Sequence, residues 1–131
     1  AIELGTGEVE FVPLVDGGSV PLTQGLQGGQ HIWGAVRVVG IDWREIDMLF
    51  AIEDDVGTRL SETTRVVQEL QPCDATAGGC APGMGEMVGI TILVDSPGSV
   101  LNETVVLSVT ASDAAGREAS DALSVFVEFG R

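Results

Sequence analysis

VVLSVTASDAAGREASDALSVFVEF, residues 105–129, decides how the chain is read. Val105, Leu107, Val109 and Ala111 recur at every second position, and Leu123, Val125, Val127 and Phe129 do the same. Period two is the mark of a strand with one face in a core, because successive side chains point to opposite faces. Between the two runs stands Asp113-Ala114-Ala115-Gly116, a turn sequence with a carboxylate at its start and a glycine at its end. The stretch therefore predicts a long hairpin.

The same pattern extends outward. Ile32, Gly34, Val36 and Val38 form one inward set, and Ile46, Met48, Phe50 and Ile52 another. Val88, Ile90, Ile92 and Val94 form a third. Weaker candidates lie at 8–14, 18–23 and 58–70. Ile46, Phe50 and Glu53 also fall at helical spacing, but the alternation favours a strand there. Turn residues separate the runs: Asp16-Gly17-Gly18, Gly40, Asp54-Asp55-Val56-Gly57 and Ser96-Pro97-Gly98. The expectation is an all-β chain of seven to eight strands, an antiparallel two-sheet β-sandwich in which the two inner faces cover each other. Residues 1–131 make a single domain, with the glycine-punctuated first dozen residues open to two readings, an edge strand or, over 1–7, a loose N-terminal arm.

The 105–129 hairpin resembles the last hairpin of bacterial extracellular immunoglobulin-like modules, related in style to cadherin-like and fibronectin-III-like ones. In those modules an alternating strand, a "DAAG" type of turn and a second alternating strand end the domain. The resemblance covers about a fifth of the chain and implies an extracellular immunoglobulin-like sandwich. It carries no catalytic residue and names no ligand.

Composition narrows the partners. Six basic residues, all arginine, stand against twenty acidic ones, for a net charge of −14. Such a surface repels phosphate backbones and anionic lipid, which argues against nucleic acid and membrane surfaces as partners. No apolar run approaches the ~18 residues of a membrane span. The chain begins at Ala1 without a signal-like segment, as expected of a secreted chain whose targeting segment has been removed.

Cys73 and Cys80 lie in the glycine-containing stretch QPCDATAGGCAPG. Zinc usually takes four ligands, and the spacing is not that of a redox Cys-x-x-Cys pair. A disulfide closing a short loop is expected, contributing roughly 2–3 kcal/mol on the loop-entropy model. It points to an oxidising compartment: periplasm, cell surface or medium.

The site candidates start from the single histidine. With Ile32, Val36 and Val38 inward, His31, Trp33 and Arg37 share the outer face of one strand. Residues two apart stand roughly 7 Å from each other. An outward tryptophan flanked by histidine and arginine suits a glycan or peptide. The competing reading has Trp33 covered by a loop and His31 satisfied by a backbone carbonyl. For metals, His31 with Met84 and Met87 would suit copper. Asp54 and Asp55, with Asp42, Asp47 or Glu53 nearby, would suit calcium, although Asp-Asp before Val-Gly is also ordinary turn capping. No nucleophile elbow or phosphate-cradling loop is present, so no enzyme is expected.

Trp33, Leu49, Val67, Leu93, Val106 and Phe126 oppose the core sets. Gathered on one sheet, they would make a surface for a partner or for self-association. The expectation is thus a secreted structural or adhesion module contacting a protein or glycan at the cell surface. The alternatives are a small copper- or calcium-binding protein with His31 as anchor, and a subunit of an extracellular polymer.

Overall fold

The computed structural model describes residues 1–24, 30–54, 56–60, 63–73, 79–94 and 100–130. The chain is all-β. Among the described residues ten strands follow one another: β1 (Ile2–Thr6), β2 (Val12–Pro13), β3 (Gly18–Gln24), β4 (Gln30–Val38), β5 (Ile46–Glu53), β6 (Thr64–Gln68), β7 (Gln71–Pro72), β8 (Gly85–Val94), β9 (Thr104–Asp113) and β10 (Glu118–Phe129). The excess over seven to eight comes from short pieces: 8–14 and 58–70 contribute only β2 and β6, and the two-residue β7 follows at 71–72.

Hydrogen bonds join the strands in the order β2-β1-β4-β3-β10-β9-β5-β6, with β8 on the other flank of β4 and β7 beside β8. The link is β3, which changes partners along its length. Residues 18–22 run parallel to β10, whereas Thr23 and Gln24 pair antiparallel with His31 and Gln30 of β4. The pairing is therefore not purely antiparallel, as the alternation alone suggested. Period two fixes which side chains face inward; it carries no information about strand direction.

The inward sets meet in one core. Ile32, Val36, Val38, Ile46, Met48, Phe50, Ile52, Leu107, Val109, Val125 and Val127 are fully buried in it. Two expected inward residues depart. Phe129, at the end of β10, is 68% exposed. Val88 loses its inward phase because the β4–β8 register shifts: Gly34 faces Ile90, but Val36 faces Met87. The additional β8 residue is a bulge, which reverses the facing of everything beyond it. Met87 accordingly packs against the core and Val88 does not.

Residues 1–7 are not a loose arm. β1 pairs with β4 from Ile2–Val38 to Gly5–Ala35, and Leu4 is fully buried. The Leu4 N–H also donates to the Asp121 carboxylate of β10. Ile2 and Leu4 supply the apolar alternation that holds the segment down, but it is only two residues long and too short to stand out in the sequence. No helix among the described residues is long and apolar enough to cross a membrane.

Candidate functional site at the disulfide loop

His31, Trp33 and Arg37 occupy alternate positions of β4, as expected, but they do not form an open face. His31 is 7% exposed and Arg37 5%. The chain between β1 and β2 folds back across this side of β4. Gly89 donates its N–H to the Gly7 carbonyl, and the Phe11 ring lies 4.3 Å from the Arg37 guanidinium carbon. Gly89 sits at the β8 bulge with φ +68°, where a Cβ would come within 2.8 Å of the Glu8 carbonyl oxygen. Glycine is what lets the two chains approach so closely. A recognition face of His31, Trp33 and Arg37 is thus corrected: the returning segment occupies it.

His31 and Trp33 form an edge-to-face ring pair, centroids 4.4 Å apart at 78°. The His31 Nε2 is buried without a hydrogen-bond partner. Burial holds the imidazole pKa below its ordinary value, and the nearby Glu8 charge opposes that shift. This is an interior imidazole whose charged form burial disfavours.

Arg37 belongs to a different group. Its Nε donates to Glu86 Oε2 at 2.8 Å, across the β4–β8 pair that sets the two residues opposite each other. The same carboxylate oxygen lies 3.3 Å from Cys73 Sγ. Cys73 and Cys80 are bonded to each other, as expected, with Cα atoms 5.8 Å apart. A disulfide is compatible with an oxidising location outside the cytosol.

Beside this bridge lies a concavity with a mainly apolar lining. Trp43, Pro72, Cys73, Cys80, Pro82 and Met84 line a volume of about 350 Å³. The indole is fixed from two directions. Its Nε1–H donates to the Gly83 carbonyl at 2.8 Å, and its ring rests on Gly85, where a Cβ would be 2.4 Å from Cδ2. Any larger residue at 85 would displace the ring. A rigid aromatic wall flanked by prolines and sulfur suits an apolar ring edge or the apolar face of a sugar. Sequence reading passed over Trp43, Glu86 and Phe11. Trp43 is the second of two tryptophans, but its flanking residues carry no alternation, and the pairing of Glu86 with Arg37 depends on β4–β8 register.

The metal candidates are dispersed. Asp54 Oδ1 accepts the N–H groups of Val56 and Thr58, which is turn capping; Asp55 lies outside the described residues. Asp42 is bound by Arg44 and Asp47 by Arg65. His31 stands opposite Leu93 and Met87 opposite Val36, five residues apart along β4 and so about 17 Å away. Met84 lines the disulfide pocket instead. Among the described residues, the ligand atoms of Cys73, Cys80 and Glu86 lie within 4.8 Å of one another.

A second, more polar groove of about 470 Å³ crosses the outer face of β5, β9 and β10, lined by Asp47, Leu49, Thr110, Ser112, Glu118 and Ser120 among others. Leu49 and Val67 are exposed diagonal neighbours on β5 and β6, whereas Leu93 lies on β8. The outward apolar residues are therefore divided between distant parts of the sheet. Set against protein-family models, curated proteins and solved structures, the chain matches none.

Proposed function

We propose that the chain is a secreted immunoglobulin-like module, a two-sheet sandwich hinged through β3, that acts by contact with a protein or glycan rather than by catalysis. The single observation behind this reading is the Trp43 pocket. Its aromatic wall is held by a backbone acceptor and a glycine contact, so little ordering remains to oppose binding. The β9–β10 hairpin and the partner change of β3 support the sandwich. The disulfide supports the extracellular setting.

Trp43 emission, read in a Trp33→Phe background, tests the assignment against soluble oligosaccharides and proline-containing peptides. One of the two classes should shift the emission saturably, and Trp43→Ala should abolish that binding. Binding that survives Trp43→Ala would move the contact surface elsewhere. The exposed Leu49–Val67 pair favours a second reading, self-association at the β6 side of the sheet. Light scattering of the native particle decides it, with Val67→Arg as the variant that should return an assembly to single chains.

A further inference from the structure

The disulfide pocket carries a second chemistry, independent of the contact function, which uses the bridge intact. We propose that, when the Cys73–Cys80 bond is reduced, Cys73, Cys80 and Glu86 bind one thiophilic divalent cation of the zinc class. The two sulfurs and a Glu86 carboxylate oxygen already lie within 4.8 Å of one another, so one ion can reach all three. The backbone at Cys73 and Glu86 is held independently of the S–S bond. The Cys73 N–H donates to the Met84 carbonyl, and Gln71 and Pro72 pair with Glu86 and Gly85.

Charge favours a divalent ion. Two thiolates and a carboxylate carry three negative charges, which draw a divalent cation, and the buried Arg37 guanidinium lies beside the carboxylate. Arg37 donates to Glu86 at 2.8 Å and so orients the carboxylate from behind, as outer-shell partners of metal ligands do. Two sulfurs and one oxygen are a donor set zinc accepts, and the fourth position is left to water or to a group entering the pocket.

The steps balance. Two thiol molecules reduce the bridge, becoming one disulfide and leaving two cysteine thiols. The cation then displaces both thiol protons as the two S–metal bonds form. Bond and metal exclude each other, so the redox state of the compartment selects which one the pocket holds.

The test uses the full chain reduced with a phosphine in the absence of oxygen, with cobalt(II) as a coloured stand-in for zinc. The expected result is a thiolate-to-cobalt charge-transfer band that saturates at one metal per chain. One equivalent of zinc should bleach it, with two protons released per zinc bound. The oxidised chain should show no band. Glu86→Gln should weaken zinc at least tenfold in competition with a chelating dye. X-ray absorption at the zinc edge of the unsubstituted chain reads the donor set directly, whether or not Glu86→Gln folds. Two sulfurs at about 2.3 Å with oxygen at about 2.0–2.2 Å are expected. No saturating band, equal zinc affinity in folded Glu86→Gln or a third sulfur at the zinc would each overturn the proposal.

Discussion

The β9–β10 hairpin and the β4–β8 pair are built alike and end differently. Both are long antiparallel pairs whose inward residues are buried in the same core. The β9–β10 register runs unbroken from Ser112–Glu118 to Thr104–Phe126, and its outer face opens, at Thr110, Ser112 and Ser120, on a groove. The β4–β8 register is broken by a bulge, and β4 buries His31 and Arg37 on the side away from the core. The inner face of a strand is written in its own residues. The state of its outer face depends on what else crosses it, and here residues 7–11 cross β4.

Paired substitutions test that difference. On β9, Leu107→Ala should cost about 2–5 kcal/mol, the range for a fully buried leucine. Thr110→Ala, on the exposed side, should stay within about 0.5 kcal/mol. On β4 both faces should be costly. Val36→Ala removes core volume, at about 1–3 kcal/mol. Arg37→Ala leaves Glu86 without its 2.8 Å partner; Glu86 is partly solvated, so about 2–3 kcal/mol is expected rather than the full penalty of a buried pair. Urea denaturation of the four variants reads the contrast. An Arg37→Ala loss as small as that of Thr110→Ala would mean that the outer face of β4 is open after all.

The covering segment gives the next effect. Phe11 is buried against Arg37 and Gly5, where a Cβ would lie 2.6 Å from its ring. Phe11→Ala should cost about 2–3 kcal/mol and make Trp33 more readily quenched by a polar solute. Unchanged quenching would place the cover elsewhere than residues 7–11.

What the sequence made legible follows the same division. The inward sets of β4, β5, β9 and β10 came directly from period two, apart from Phe129 at a strand end. The disulfide came from two cysteines with no other partner in sight. The parallel β3–β10 contact was hidden, because alternation is the same in either direction. The Val88 phase change was hidden in a bulge at Gly89, a residue with no side chain to break the pattern. Trp43 was missed because its position depends on Gly85, forty-two residues further along the chain, and a close approach of that kind leaves no local periodicity. His31 was singled out for rarity, and rarity does not distinguish a ligand from a residue packed under its neighbours.

The two regions should also respond to acid in different windows. At the turn of the hairpin, the Asp113 carboxylate is held below its ordinary pKa first by the Asp42 N–H and further by Arg117. Asp42 is lowered to about 2, chiefly by the Arg44 side chain. Carboxylates with depressed native pKa values contribute stability above the unfolded value near 3.8. That contribution is lost as pH falls from there towards about 2. Asp113→Asn should flatten the acid limb below pH ~4 and leave the profile above pH ~5 as it was. A profile unchanged below pH ~4 would remove the Asp113 node from the account.

His31 governs the smaller effect at milder acidity. Its native pKa is lowered, first by burial, with the Glu8 charge opposing. Above the unfolded value near 6.5 both states are neutral and the residue has no pH-dependent part. As pH falls below that value the unfolded chain takes up a proton that the native chain resists, so stability declines until the native pKa is reached. Protonation would also place an N–H at the unpartnered Nε2, with no acceptor to receive it. With one histidine in the chain, a single imidazole resonance reports the native pKa without assignment. It should titrate below 6.5, lower still in Glu8→Gln, and return towards 6.5 in Phe11→Ala, where the covering segment is loosened. Titration at the ordinary value in the unsubstituted chain would show that water reaches His31. The outer face of β4 would then resemble that of β9, and the contrast between the two strand pairs would reduce to the bulge alone.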